Sequence, residues 1–210
     1  MIAGFFMARF KMHPFISTMA NMLIIFGLVT YATKGVSFGA IDPAIPNIFI
    51  PKAGRFPMII LWAIIAVVVV WFIWNKTTFG KNLYAVGGNP EAATVSGISV
   101  FKVTMGAFIM AGILYGFGSW LECLRMVGSG SAAYGQGWDM DAIAACVVGG
   151  VSFTGGIGKI SGVVTGVLIF TSLTYSLTIL GIDTNLQFIF EGIIILAAVT
   201  LDCLKYVQKK

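Results

Sequence analysis

Charge is what this sequence has least of. Only 10% of its 210 residues are Asp, Glu, Lys or Arg, whereas a soluble domain carries about 25%. Hydrophobic residues make up 58%, which excludes an ordinary soluble domain and points to an integral membrane protein. Histidine is nearly absent, with His13 alone, and the three cysteines Cys123, Cys146 and Cys203 lie far apart without a C-x-x-C pair. Metal ligation needs closely placed partners, so no metal is expected and the cysteines read as small apolar packing residues. There is no G-x-x-x-x-G-K-[ST] phosphate cradle and no nucleophile–base constellation, so the chain is expected to be a non-enzyme without a cofactor. A cleavable signal is not convincing either: Ile2–Ala8 is apolar but short and has no basic residues before it. The net charge of +5 needs no nucleic acid, because basic residues beside membrane spans give the same balance and no compact basic cluster stands outside the tail.

What is present is a series of apolar runs. Met1–Ala8 reads as the last two turns of a helix, followed by the basic flank Arg9 and Lys11. Phe15–Ala32, Met58–Trp74, Val103–Leu121, Ile160–Leu180 and Leu186–Leu201 read as membrane spans. Ala142–Val151 is half a span and runs into a glycine-broken segment that ends at Gly158. Backbone broken at membrane depth must be covered by protein or water. The expectation is an all-α polytopic transmembrane bundle with about six crossings, one of them short and broken by glycines. Lys34–Pro57, with Gly35, Gly39, Pro43, Pro46, Pro51, Gly54 and Pro57, reads as a loop without a long helix.

Arg9 and Lys11 placed inside put nine basic residues inside and four (Lys34, Lys52, Arg55 and Arg125) outside. That is the direction of the positive-inside rule, provided that Ala142–Gly158 crosses. The carboxy terminus then faces the cytoplasm. Small residues that let helices approach closely recur as Gly112 and Gly116, and as Gly158, Gly162 and Gly166. Glu191 is the one carboxylate placed within a span, about one turn inside.

Lys76–Lys102 is a polar, glycine-rich interval between apolar ones, expected to be a cytoplasmic loop with a short helix. Gly87, Gly88, Asn89, Pro90, Glu91, Ala92 and Ala93 read as a turn followed by that helix. Asn89 can cap, Pro90 suits the first helical position and Glu91 suits the positive end of the dipole. Ser96 and Gly97 end the run.

FGKNLYAVGGNPEAATVSGISV, followed at a distance by DAIAACVVGGVSFTGGIGKISGVVTGVLIF, resembles the permease subunits of bacterial ABC importers for monosaccharides, of the ribose, xylose and galactose type. MVGSGSAAYGQGWDMDAIAACVVGGVSFTGG and the ending LDCLKYVQKK are most similar to the galactose/methyl-galactoside members, and ARFKMHPFISTMANM resembles the middle of such a permease. The resemblance covers nearly all of residues 1–210 as one transmembrane permease domain, its carboxy-terminal portion. Such permeases are longer by several helices at the amino end, so Met1 is expected to be an internal start, a fragment boundary or the start of a truncated product.

The resemblance implies a multi-pass inner-membrane subunit that imports a monosaccharide. It implies an ABC ATPase below, a periplasmic sugar-binding protein above, a second permease copy and membrane lipid as partners. It assigns the ATPase contact to Gly87–Ala93, with Ser96 and Gly97 at its exit. A sugar is uncharged but strongly hydrated, so its path needs hydroxyls and amides; Ser17, Thr18, Asn21, Ser152 and Thr154 are the candidates. Two alternatives stay open. A secondary transporter would need coupling carboxylates within spans, of which Glu191 alone is available; the other is a non-transporting fragment or regulatory subunit.

Overall fold

The computed structural model describes every residue except 1, 38–41, 43, 54–55, 127–129, 132 and 208–210. Met1, Gly39, Pro43, Gly54, Arg55, Lys209 and Lys210, used in the sequence reading, lie outside the described residues. The regular structure of the described chain is helical apart from a two-residue ladder, β1 (Lys52–Ala53) with β2 (Phe56–Pro57). Two compact units form, one from Met1–Val69 with Ala93–Tyr134, the other from Val70–Ala92 with Gly135–Lys210.

The first unit holds α1 (Ile2–Phe10), α2 (Pro14–Thr33), α3 (Ala44–Phe49), the start of α4 (Ile59–Lys76) and α7 (Val100–Arg125). Pro14 opens α2 at its first position, where the missing N–H costs nothing. Lys34 closes it in the left-handed region (φ 54°), and the Gly35 N–H caps the Thr30 carbonyl. The loop expected at Lys34–Pro57 contains α3 and the small ladder. Pro46 is tolerated because it falls within α3's first turn. α1 lies close to α7: a Cβ on Gly4 would meet the Phe108 ring at 2.7 Å. Phe49, Trp62, Phe117 and Trp120 form an aromatic cluster, with the Trp62 indole donating to the Phe49 carbonyl at 3.0 Å.

α7 runs about a turn beyond Val103–Leu121 at either end. Ser99 caps it by accepting from the Lys102 N–H. At its other end Arg125 pairs with Glu122, and the Tyr134 hydroxyl donates to Glu122 at 2.6 Å. That hydrogen bond to the carboxylate holds the Tyr134 hydroxyl above the usual phenol range.

The second unit holds α8 (Trp138–Val148), α9 (Ile160–Ile179) and α10 (Thr184–Val207), together with α5 (Thr78–Gly88). Ala144, Ala145 and Phe170 form its buried centre, with Ile194 and Ile195 packed against them. α8 begins four residues before Ala142. Asp139 and Asp141 sit in the first helical turn, where carboxylates are favoured. α9 ends at Ile179, Gly181 (φ +72°) turns the chain just beyond it, and the tight turn into α10 is closed by the Gln187 side chain donating to the Ile182 carbonyl.

α2, α4, α7 and α9 are each long and apolar enough to cross a membrane. Large apolar side chains stand open along them, such as Leu28 (64% exposed), Val68 (56%) and Leu168 (63%). Water would penalise such exposure by roughly 1.5–3 kcal/mol per side chain, whereas lipid does not. α10 contains the shorter apolar stretch Leu186–Ala197.

Candidate functional site

The polar interval Lys76–Lys102 is more helical than its composition suggests. α4 gives way to α5 across a single residue, Thr77. The Thr77 hydroxyl donates to the Ile73 carbonyl at 2.6 Å and accepts from the Gly80 N–H, capping α5 while closing α4. Gly80 makes this sharp junction possible, because a Cβ there would collide with the Trp74 carbonyl oxygen. Sequence reasoning missed α5. Gly80, Gly87 and Gly88 lower its helix propensity, although Thr77 was a legible cap.

Asn89 separates α5 from α6 (Pro90–Val95), and its side-chain oxygen accepts from the N–H groups of Glu91 and Ala92 at 3.0 Å each. This is the cap that the Asn-Pro-Glu order predicts. Gly97 (φ +80°) ends the helix as expected; its N–H reaches Thr94 and that of Ile98 reaches Ala93. Gly88, Asn89, Pro90, Glu91, Ala92, Ser96 and Gly97 are exposed, while Ala93 is buried and Gly87 half-buried. Ala93 and Gly87 therefore face the rest of the chain.

Gly87 has a specific neighbour. A Cβ on it would lie 2.8 Å from the Gly156 nitrogen, and one on Gly155 would lie 2.7 Å from the Gly87 carbonyl oxygen. Gly155 and Gly156 take positive φ (+96° and +72°), so their conformation and their closeness both require glycine. Beside this contact the Tyr84 hydroxyl donates to the Gly158 carbonyl at 2.7 Å. Two of the sequence's Gly-Gly pairs, Gly87-Gly88 and Gly155-Gly156, thus meet backbone against backbone.

The turn is internally tied. The Ser152 N–H donates to the Ile157 carbonyl, and the Ser152 and Thr154 hydroxyls bond each other at 2.9 Å. Ser152 is buried and Thr154 exposed, and both hydroxyls bond within the turn. Ser17, another path candidate, is also buried and donates to the Ala3 carbonyl at 3.0 Å, joining α2 to α1. The Thr18 hydroxyl donates to its own helix at Pro14 and Phe15 and stays exposed. Asn21 is half-buried on the same helix.

The glycine series divide. A Cβ on Gly162 would strike the Gly149 carbonyl oxygen, and one on Gly166 the Ala145 carbonyl oxygen, so α8 and α9 pack with no side chain between them. Gly158 precedes α9 and faces the Val151 side chain instead. Gly112 and Gly116 face open space among the described residues. Equal spacing therefore does not imply equal use.

Comparison with known proteins bears on the chain as a whole. It is 56% identical over its full length to the galactose/methyl galactoside import permease protein MglC of Treponema pallidum, covering 41% of that protein. It is 44% identical over its full length to the protein of the same name from Escherichia coli, covering 64% of it. The ribose import permease protein RbsC of Bacillus subtilis is 36% identical over 95% of this chain, which covers 62% of RbsC. The chain thus spans less than two thirds of the length of these relatives. No solved structure matches. Residues 1–199 match the family described as branched-chain amino acid transport system / permease component, and the chain belongs to that family of membrane transport permeases.

Proposed function

We propose that the chain is the membrane-spanning permease part of an ABC importer that brings a monosaccharide, galactose or a methyl galactoside, across the bacterial inner membrane. The observation that carries this reading is the 56% identity, over the whole chain, to a galactose/methyl galactoside import permease. ATP is hydrolysed by a separate ATPase subunit below the membrane, a periplasmic binding protein delivers the sugar from above, and a second permease copy completes the passage. Lipid surrounds the open apolar faces.

The exposed part of the segment, Gly88–Ala92 with Ser96 and Gly97, meets the ATPase. Its helix is capped, short and unburied on one side, which suits a docking knob. Gly112 and Gly116, open in the single chain, serve packing against the second copy or lipid. Thr18 and Asn21 are the remaining polar candidates for the path.

Chain order supports six crossings. Gly87 packs against Gly155 and Gly156, so the segment before α9 lies on the side of α5. Crossing by Ala142–Gly158, rather than re-entry, keeps Lys159 on that side with Lys76 and Lys81. α9 and α10 then bring the carboxy terminus back to the α5 side. With α5 inside, as the basic residues indicate, the tail is cytoplasmic.

The test is uptake of labelled galactose into proteoliposomes containing the permease, its ATPase and its binding protein. Uptake that requires ATP inside and binding protein outside is expected. ATP-independent uptake, or none with all three present, overturns the reading.

A further inference from the structure

A docking knob matters only if its displacement reaches the spans. The second unit contains one continuous route. α5 is joined to α6 by Asn89 alone and is tied to the segment before α9 at two adjacent places. At one, Gly87 sits on Gly155 and Gly156 without side chains between them. At the other, the Tyr84 hydroxyl donates to the Gly158 carbonyl at 2.7 Å, linking residues 74 positions apart. Backbone contact of this kind has no flexible side chain to absorb a shift. Beyond the turn, α8 and α9 interlock through Gly149, Gly162, Gly166 and Ala145, so a push on residues 155–158 moves both.

We infer that Tyr84 is a positioning residue for transport: its hydrogen bond to Gly158, with Gly87 seated on Gly155–Gly156, passes motion of the ATPase-facing segment to the α8–α9 pair. The inference rests on the importer reading and deepens it. It divides the polar interval into two roles. Gly88–Ala92 faces the partner, whereas Tyr84 and Gly87 face inward and carry the displacement onward. The tie has two unequal parts: the glycine contact sets the distance between α5 and the turn, and the Tyr84 bond fixes their register. Removing the hydroxyl alone leaves the helices in place but frees them to slide.

The experiment uses the reconstituted complex with ATPase and binding protein, and measures ATPase association, ATP hydrolysed and galactose taken up. Tyr84→Phe and Gly87→Ala are expected to keep ATPase association while galactose moved per ATP falls about two- to thirtyfold, the range of coupling effects of residues away from both sites. Tyr175→Phe removes an exposed hydroxyl from α9 and is expected to leave the ratio unchanged. Thermal unfolding of Tyr84→Phe close to that of the parent separates lost transmission from lost folding. If Gly87→Ala does not accumulate in the membrane, Tyr84→Phe decides alone. An unaltered ratio in Tyr84→Phe overturns the inference while the importer reading stands. A fall that merely follows lost ATPase association also overturns it. Failure of ATP-driven uptake in the parent protein overturns the importer reading, and the inference with it.

Discussion

A Cβ placed on Gly166 would collide with the carbonyl oxygen of Ala145. The contact is between backbones, so no rotamer change relieves it. Gly166→Ala is expected to destabilise the protein at the upper end of the roughly 1–3 kcal/mol that overpacking costs. Gly112→Ala, on an open face within α7, is expected to leave the isolated chain as stable or up to about 1 kcal/mol more stable, because Ala outranks Gly inside a helix. Thermal unfolding in one detergent checks both.

Asn89→Ala removes the acceptor for two N–H groups of α6. A lost cap costs about 1 kcal/mol, which corresponds to roughly fivefold faster amide exchange at Ala92 and Ala93. Exchange in α9 is expected to be unchanged, because the loss is confined to the knob.

Tyr134 donates to Glu122, and its hydroxyl is held above the ordinary phenol range by that carboxylate. The folded pKa is raised, so the contribution of this bond is complete below the unfolded phenol pKa and is lost as pH rises through the folded one. The ultraviolet titration assigned to Tyr134 by difference against Tyr134→Phe is expected to lie above that of a free tyrosine. Glu122→Gln is expected to bring it down. An unchanged midpoint in Glu122→Gln would show that the carboxylate is not the cause.

Val95 is 90% exposed and Ile157 58% exposed. In a background with Cys123, Cys146 and Cys203 replaced by Ser, Val95→Cys and Ile157→Cys are both expected to react with a membrane-impermeant maleimide only in inverted vesicles. Labelling of the two from opposite faces would remove the return of the chain through α8.

Ser17→Ala is expected to cost about 1 kcal/mol of stability, since it removes the buried hydrogen bond by which the Ser17 hydroxyl joins α2 to the Ala3 carbonyl of α1. The affinity for galactose in uptake is expected to be unchanged. A selective rise in KM without loss of stability would return Ser17 to the sugar path.

Four of the expected spans, α2, α4, α7 and α9, were legible because a long apolar run, uninterrupted by charge, finds a suitable solvent along its whole length only in a bilayer. The α6 cap was legible because Asn89, Pro90 and Glu91 each favour one helical position. α5 was hidden because glycines that weaken a helix locally serve contacts made with Gly155, Gly156 and Trp74, and nothing in the local sequence reveals such neighbours. The same holds for hydroxyls: Ser17 and Ser152 look like path residues in sequence, yet Ser17 is bonded to another helix and Ser152 within its own turn. Gly112 and Gly166 sit in matching small-residue patterns, yet one faces open space and the other a carbonyl.

The single residue between α4 and α5 has a further consequence. α4 has 18 residues, about 27 Å of helix, which barely matches a hydrocarbon core of about 30 Å. With only Thr77 beyond it there is no slack. In longer-chain lipid this helix has no extra turn to offer, so the bilayer must thin around it or α5 must be drawn toward the headgroups. Acyl-chain length thereby becomes a mechanical setting on the lever beneath the membrane.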